Sequence, residues 1–320
     1  MRAHVMAIEG MFDTGLVTVL DTLSMANELA VATGMPAPFD IEVVGVRKSV
    51  RTQLGLGVPA RHVSDVGAPD LVLIPALGEK SPEDLERALG RRDIADVKRW
   101  LGKWQEDGAR LAAACTGTYV LAATGLLDGL RATTTWWLGP DFRQRFPAVS
   151  LEDTRMIIDD NRRLTAGAAL AHVDLALWLV REQSPVLART TSRYLLFDDR
   201  QSQATYSMAD HLAHQDPIVE AFEVWARAHM RDFTMARAAK AVGTSQRTLQ
   251  RRVQRVLGCT PSHYVGNLRV TLAQHRLETT DESSEEIAAA VGYSDGVTQL
   301  SLLRRRTGVG VRELRARRGR

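Results

Sequence analysis

Apolar residues in the first part of the chain alternate between short continuous runs and helical spacing. The continuous runs predict buried strands at His4–Ile8, Phe39–Val46, Leu71–Ile74 and Arg110–Ala114. Helical spacing follows over Leu16–Ala32, Pro82–Trp104 and Asp174–Glu182, and another helix begins at about Tyr119. Pro82 behind Ser81 has the form of an N1 proline behind an N-cap. Strands that alternate with helices indicate a parallel sheet covered by helices on both faces.

The second part of the chain has no convincing strand pattern. From Leu187 to His229 the spacing is mostly helical, interrupted by a polar stretch at Asp198–Gln203, and the remaining tail favours an all-α structure. A length of 320 residues is typical of two domains. The pattern therefore predicts an α/β domain followed by an all-α domain, with the division near residue 210.

Charge is distributed unevenly between these two parts. From Ile218 onward there are 18 Lys and Arg against 10 Asp and Glu, a net charge of +8, whereas the rest of the chain carries 23 against 28, a net charge of −5. Such asymmetry is typical of nucleic-acid binding, although a solvated basic surface gives the same count. We expect no signal peptide or membrane span, and Cys115 and Cys259 are too few for a disulfide framework and lack zinc-ligand spacing. A reduced, cytoplasmic protein is expected.

Two segments of the tail repeat one another. Ala238–Ser245 precedes a basic helix that closes at Gly258, and Ile287–Ser294 precedes a helix that closes at Gly308. Each has small alanines that let two helices cross closely, a glycine that permits a tight turn, and a serine that can cap the second helix. The repeat predicts two helix-turn-helix units, whose second helices would enter the DNA major groove.

Residues 218–320 resemble the DNA-binding domain of the AraC/XylS family. The first unit carries the resemblance at Ser245-Gln246-Arg247-Thr248-Leu249-Gln250-Arg251-Arg252-Val253, Gly258-Cys259-Thr260-Pro261 and Leu268-Arg269, and the second at Ile287-Ala288 and Val291-Gly292-Tyr293-Ser294-Asp295. The resemblance implies two units joined by a long helix, here from about Pro261 to Glu278. It also implies that the DNA-binding residues are Ser245, Gln246, Arg247, Gln250, Arg251, Arg252, Val297, Arg304 and Arg305.

Within the first unit, Leu249 and Val253 have the spacing of core residues, and Arg247, Gln250 and Arg251 should face the groove. Arg252 and Arg255 are interpreted as phosphate contacts or solvated charges. Phosphate contacts position the protein on DNA but do not specify the base sequence.

The second unit departs from the family pattern, because Gln299 replaces an aromatic core residue and Ser301 replaces an arginine. Gly296, Val297 and Leu300 offer little hydrogen bonding to bases. We therefore predict that the first unit dominates sequence readout, with apolar reading of thymine methyl groups by Val297 as the alternative.

The segment Leu111–Ala122 predicts a strand, a sharp turn and a helix, with Cys115 at the turn. Such a turn can expose a nucleophile near a helix N-terminus, whereas a small buried cysteine is the ordinary alternative. Residues 1–185 resemble the class I glutamine-amidotransferase-like superfamily, which includes intracellular cysteine peptidases. Together with the tail, they resemble the GlxA-like regulators. The matching pieces are Asp70–Pro75, Cys115–Gly117, Leu121–Gly129, Ala132–Trp136 and Leu164–Gly167. The resemblance implies a flavodoxin-like parallel-sheet sandwich.

Catalytic members of that superfamily place a histidine where this chain has Thr135. Threonine cannot act as a general base near neutral pH, and His172, the nearest histidine, lies in an apolar run typical of a structural helix residue. The usual acid near the first strand is Glu9 or Asp13. We therefore predict that Cys115 is a vestigial nucleophile and that the protein is not an enzyme.

What remains is a ligand pocket at the carboxyl ends of the strands, where open α/β sheets bind ligands. Asp13 and Trp136 would suit a small nitrogen-containing cation, although Trp136 and Trp137 can equally fill the core or a dimer interface. The predicted lining is Asp13, Leu77, Gly78, Cys115, Thr116, Thr135 and Trp136.

These inferences predict a sequence-specific DNA-binding transcriptional regulator that senses a small metabolite; the alternative is a cysteine-dependent hydrolase or lyase that uses Cys115. The expected domains are an amidotransferase-like sensor over 1–185, a helical linker over 186–217 and the DNA-binding domain over 218–320. The expected partners are double-stranded DNA, a small-molecule effector and a second copy of the chain, with RNA polymerase as a further candidate. No cofactor, metal or membrane is expected.

Overall fold

The chain forms two compact units in the computed structural model, which describes residues 1–197, 200, 203, 214, 216–280 and 282–293. The first unit comprises Met1–Leu138 and Arg145–Gln203, and the second comprises Gly139–Gln144 and the chain after Gln203. The first unit contains all the strands, and the described part of the second unit is helical.

A seven-stranded sheet forms the centre of the first unit, in the order β10-β11-β7-β6-β1-β2-β5. All its neighbouring strands are parallel except β10, which is antiparallel to β11. The order β2-β1-β6-β7-β11 is that of a flavodoxin-like fold, so the predicted fold class is confirmed. The strands are β1 Arg2–Ala7, β2 Asp40–Gly45, β3 Ser49–Arg51, β4 Gly57–Pro59, β5 Arg61–His62, β6 Leu71–Ile74, β7 Arg110–Ala114, β8 Arg131–Ala132, β9 Ser150–Leu151, β10 Ile157–Asp160 and β11 Arg163–Ala166.

Helices cover both faces of this sheet. The helices of the first unit are α1 Asp13–Ala32, α2 Pro82–Leu89, α3 Arg92–Glu106, α4 Gly117–Ala122, α6 Ala171–Gln183 and α7 Pro185–Tyr194. Helix α5, Gly139–Arg145, falls almost entirely in the second unit. Successive residues of β1 point to opposite faces, so Ala3 and Val5 share a buried cluster with α1 and α6, whereas the ring of His4 lies edge-on to Trp104 of α3. Burial on both faces explains why the central strands read as continuous apolar runs.

The stretch predicted as one helix over Pro82–Trp104 is in fact two, α2 and α3, separated at Gly90 and Arg91. The predicted cap is confirmed, since Ser81 Oγ accepts a hydrogen bond from the Asp84 N–H. Among the described residues, only α1 has the length and apolar composition to cross a membrane. Its Leu16 and Leu23 side chains are buried against the sheet, which accounts for that composition within a folded domain.

Helix α7 packs against α1 and α6, and its Leu187 and Ala188 are buried in the core of the first unit. The predicted linker over 186–217 therefore begins with a helix that belongs to the first unit. The boundary predicted at residue 185 falls at the start of this helix rather than after it.

The second unit contains α8 Pro217–Ala228, α9 Met235–Ala241, α10 Gln246–Leu257, α11 Pro261–Thr279 and α12 Ser284–Val291. Its larger cluster gathers Phe222 of α8, Ala238 of α9, Leu249 of α10 and Tyr264 of α11. A smaller one joins the end of α11 to α12. The predicted connecting helix, 261–278, is confirmed within one residue.

Candidate functional site

The first predicted helix-turn-helix unit is formed by α9 and α10. Gly243 lies in the turn with φ of 67°, a left-handed conformation that favours glycine. Ser245 Oγ then accepts a hydrogen bond from the Thr248 N–H at 3.1 Å. The serine thus satisfies one of the free N–H groups at the start of the second helix, as predicted for a cap.

Helix α10 has two chemically different sides. Leu249, Val253 and Leu257 are buried in the core of the second unit. On the other side, a set of polar residues is exposed: Ser245, Gln246, Arg247, Gln250 and Arg251. The predicted core positions are therefore confirmed, and the exposed side chains are free to approach a macromolecule from one direction.

Arg252 has a protein partner that the sequence analysis did not anticipate. Its Nη1 donates to both carboxylate oxygens of Asp216 at 3.1 Å, and Arg255 Nη2 lies 3.4 Å from Oδ2 of the same aspartate. Asp216 also caps α8. The Asp216-Pro217 pair is a recognisable N-cap and N1 signal, but no sequence pattern pairs it with α10.

The second predicted unit is described only through its first helix. Ser283 and Glu286 form a capping box at the start of α12, and Gly292 ends the helix with φ of 88°. The remaining residues for which the sequence made predictions lie outside the described residues: Ser294, Gly296, Val297, Gln299, Leu300, Ser301, Arg304, Arg305 and Gly308.

Cys115 occupies a sharp turn between β7 and α4, with φ of 54°. Its N–H is shared between the carbonyl oxygens of Ala166 and Gly167 at 3.0 and 2.9 Å. A Cβ on Gly117 would lie 2.5 Å from the Ile74 carbonyl oxygen, so only glycine allows α4 to begin this close to β6. The predicted strand, turn and helix are therefore present.

The Cys115 thiol is buried. Burial raises its pKa, and nearby groups, including the hydroxyls of Thr116 and Thr135, oppose that shift only partly. Thr135 is completely buried, and its hydroxyl faces the thiol. Neither the thiol's environment nor Thr135 provides the means to form a thiolate near neutral pH.

His172 is a structural residue, as the sequence pattern indicated. Its Nε2 accepts a hydrogen bond from the Ala76 N–H at 3.1 Å, and its Nδ1 faces the carbonyl oxygen of Ala169. Complete burial lowers its pKa to about 4. The ring packs against Gly15, where a Cβ would lie 2.7 Å from Nε2. Both ring nitrogens face backbone groups, so neither is available for catalysis. The ring instead packs between α1, α6 and the end of β6.

The seven residues predicted to line a pocket are all buried. Thr116 Oγ1 donates to the Leu77 carbonyl oxygen at 2.7 Å, so the loops after β6 and β7 are joined. Gly78 N–H donates to the Gly10 carbonyl oxygen at 2.8 Å. Trp136 lies edge-on to Trp137 with ring centroids 5.6 Å apart. The loops after β1, β6 and β7 are thus joined by direct contacts, and the indole of Trp136 already has an aromatic neighbour.

Asp13 is the charged residue of this site. Its Oδ2 accepts a hydrogen bond from the Leu54 N–H at 3.1 Å, whereas Oδ1 is buried with no partner among the described residues. The other candidate acid, Glu9, lies 3.8 Å from Arg47 and is partly exposed. An unsatisfied buried carboxylate oxygen is unusual and indicates a place for a donor.

A glutamine that the sequence analysis missed lies against the loops that flank Cys115. Gln203 is 1% exposed. Its Nε2 donates to the Thr134 carbonyl oxygen at 2.7 Å, and its Oε1 accepts from the Ala168 N–H at 3.1 Å. Thr134 in turn donates its hydroxyl to the Cys115 carbonyl oxygen at 2.7 Å. A lone glutamine in a polar stretch carries no sequence signal for such burial.

A cavity of about 190 Å³ lies elsewhere in the first unit, between β10 and α6. Met156, Leu177 and Trp178 provide its apolar wall, and Asp174, ion-paired with Arg200, lies at its polar side. In the described part of the chain, no group of His, Cys, Asp and Glu side chains is arranged to hold a metal ion.

Comparison with known proteins finds a family match in each unit. Residues 1–182 match the DJ-1/PfpI family, and residues 238–317 match a helix-turn-helix domain. The first match alone covers more than half of the chain.

Several bacterial regulators are similar over much of the sequence. HTH-type transcriptional regulator GbdR of Pseudomonas aeruginosa is 29% identical over 214 residues, which is 65% of this chain and 57% of the relative. ArgR of the same species is 31% identical over 66% of this chain and 65% of its own length. GlxA of Rhizobium meliloti is 26% identical over 58% of this chain and 59% of its own length. The chain thus spans less than two thirds of each of these relatives.

Solved structures support the fold of the first unit. An AraC family transcriptional regulator from Pseudomonas putida superposes with a TM-score of 0.52 at 20% identity, over 61% of this chain and 98% of that one. A putative transcriptional regulator from Vibrio parahaemolyticus gives a TM-score of 0.51 over the same fraction.

Proposed function

We propose that this chain, which belongs to the DJ-1/PfpI family and carries a helix-turn-helix domain behind that fold, is a sequence-specific DNA-binding regulator of transcription. The observation that carries the proposal is the division of α10 into a buried apolar side and an exposed polar side. Arg247 and Arg251 can pair with guanine and Gln250 with adenine. The names of GbdR, ArgR and GlxA, all HTH-type transcriptional regulators, support the same function.

The proposal is tested by binding of the full chain to a genomic fragment library at two salt concentrations. We expect salt-sensitive binding, because arginines release counterions from phosphates, together with enrichment of a defined site. Salt-sensitive binding without enrichment would contradict sequence specificity. No binding at either salt concentration would contradict the DNA-binding function itself.

We propose further that the first unit reads sequence and the second adds affinity for the backbone through Arg304 and Arg305. Footprints of Arg247→Ala and Val297→Ala variants separate this from the alternative. Loss of specificity only in Arg247→Ala is expected. Equal loss in both would support reading of thymine methyl groups by Val297.

The site around Cys115 is proposed to sense a small nitrogen-containing cation. The buried Oδ1 of Asp13, which lacks a described partner, supports this ligand class because an ammonium or guanidinium group would satisfy it. Titration with a panel of amines, followed by tryptophan fluorescence, is the test, with Asp13→Asn as the matched variant. A response that persists in Asp13→Asn would assign the ligand to another place, and no response across the panel would remove the proposal.

Coupling between that site and the DNA-binding unit is proposed to run through Gln203. This residue lies beyond α7, on the way to the second unit, and contacts the loops on both sides of Cys115. A ligand can shift DNA affinity only as far as it binds the two states differently. Gln203→Ala is therefore expected to reduce the effect of an amine on DNA binding while leaving binding of the amine in place.

A hydrolase or lyase function is not favoured, because Cys115 has a raised pKa and His172 is held by backbone groups.

We also propose that the chain acts in the cytoplasm as a homodimer, and that RNA polymerase is a partner in activation. Sedimentation of the full chain with and without DNA tests the dimer, and a monomer in both conditions would contradict it.

A further inference from the structure

Asp216 performs two tasks with a single carboxylate. Its Oδ1 accepts hydrogen bonds from the N–H groups of Ile218 at 3.1 Å and Val219 at 3.2 Å, so it caps α8. The same carboxylate receives Arg252 from α10 at 3.1 Å on each oxygen, and Arg255 at 3.4 Å. The side chain is 10% exposed. One largely buried carboxylate therefore contacts both α8 and α10.

The surroundings keep this carboxylate ionised. Burial raises the pKa of Asp216, but hydrogen bonds from the Val219 N–H and from Arg252 outweigh it, so the pKa lies below its ordinary value. The positive end of the helix dipole at the N-terminus of α8 also favours the charged carboxylate and so lowers the pKa. At neutral pH the contact is consequently between a full negative charge and a guanidinium group.

The position of Asp216 is fixed by a second residue before α8. Asp216 N–H donates to His214 Nδ1 at 3.3 Å, and His214 Nε2 lies 2.7 Å from Glu223 Oε2 on α8. Both His214 and Glu223 are largely buried. The backbone of Asp216 is thus linked through His214 to Glu223 of α8.

The basic residues of α10 fall into two groups as a result. Arg247 and Arg251 are exposed on the side that carries Gln250, whereas Arg252 is one third exposed and faces Asp216. We propose that Asp216 is a positioning residue for DNA binding, which holds Arg252 on the protein and thereby sets α10 against α8. The proposal rests on the proposed DNA-binding function, and it leaves contact with DNA from this helix to Arg247, Gln250 and Arg251.

The test replaces the charge and keeps the cap. Asn is as good an N-cap as Asp, so Asp216→Asn should preserve α8 while weakening the hold on Arg252. Binding of the full chain to a mixed-sequence DNA duplex is measured between about 50 and 200 mM salt, where the logarithm of the binding constant falls linearly with the logarithm of salt concentration. The slope is expected to steepen by about 0.9, because Arg252 gains a phosphate whereas Arg255 is already exposed.

Two further variants assign the change to its cause. Glu220→Gln removes the same charge from the exposed first turn of α8 and is expected to alter the slope far less. Addition of Arg252→Gln to Asp216→Asn is expected to return the slope to the wild-type value. A slope that Asp216→Asn leaves unchanged, or a gain that survives Arg252→Gln, would overturn the inference.

A measurement without DNA separates failure of this inference from failure of the proposed function. Urea denaturation of Asp216→Asn, Arg252→Gln and the double variant should show coupling between the two positions, so that the double variant is less destabilised than the sum of the singles. Additive effects would overturn the ion pair even if the chain binds DNA. Coupling in a chain that binds no DNA would instead overturn the function and, with it, the role of Asp216 in DNA binding.

Discussion

Substitutions at two adjacent residues of α10 should have separate effects, one on stability and the other on DNA recognition. Leu249 is completely buried among the apolar side chains of α8, α9 and α11, whereas Gln250 is exposed. Leu249→Ala leaves a cavity in a closely packed core and is expected to cost about 2–5 kcal/mol. Gln250→Ala removes no buried contact and should change the free energy of unfolding by less than about 0.5 kcal/mol.

The effects on DNA selection should be reversed. A bidentate contact between a side chain and a base discriminates by about 1–3 kcal/mol, so Gln250→Ala should relax the preference at one base pair by roughly 5- to 150-fold. Leu249→Ala keeps every exposed side chain, and the fraction that remains folded should select the same site as the wild type.

The assay pairs urea denaturation, followed by far-ultraviolet circular dichroism, with selection from a genomic fragment library by the same full-length variants. Denaturation reports the core, and selection reports the exposed side. Equal destabilisation of both variants would refute the division of α10 into two sides. A Gln250→Ala variant that selects an unchanged site at every base pair would refute its role in readout.

Three further predictions concern the first unit. Complete burial lowers the pKa of His172 from 6.5 to about 4. Between these two pH values the unfolded chain binds a proton at this residue and the folded chain does not. The stability contributed at high pH, about 3 kcal/mol, is therefore lost across that window, and urea denaturation should show a weaker pH dependence in His172→Gln. Burial also raises the pKa of Cys115, so iodoacetamide should alkylate it far more slowly than the partly exposed Cys259 at pH 7. Gly102→Ala, with open space around its Cβ inside α3, should raise stability by about 0.5–1 kcal/mol, whereas Gly117→Ala should lower it because its Cβ meets backbone oxygens.

Each of these predictions can fail separately. If the pH dependence of stability is the same in His172→Gln as in the wild type, burial does not keep the His172 ring neutral in the folded chain. Rapid alkylation of Cys115 in the folded chain, judged against Cys115→Ser, would restore the case for a reactive cysteine. Stabilisation of equal size in both glycine variants would show that helix propensity, rather than close approach to β6, governs Gly117.

Local signals in the sequence were sufficient for most of the architecture. Continuous apolar runs such as Leu71–Ile74 predicted strands buried on both faces, and the Ser81-Pro82 pair predicted a helix start that the structure confirms. The break at Gly90 was missed because α2 and α3 continue one apolar pattern across it. Periodicity reports which side of a helix is buried, but not whether the axis bends between two helices.

The contacts of the candidate sites depended on pairs that are distant in the chain. Gln203 lies 69 residues from Thr134, and Arg252 lies 36 residues from Asp216. Each side chain taken alone has the composition of a solvated loop or helix surface. Burial and pairing of a polar group depend on which other elements pack beside it, and residue spacing along one element does not encode that.

The sequence by itself determined the fold class, the turn at Cys115 and the two sides of α10, because helical and strand spacing, capping residues and glycine turns act over a few neighbouring residues. Tertiary structure alone decided that His172 is held by Ala76, that Asp13 keeps a buried oxygen without a described partner, and that Asp216 holds Arg252. The physical reason is that the energy of a buried polar group is set by the partners and solvent exclusion that the completed fold supplies.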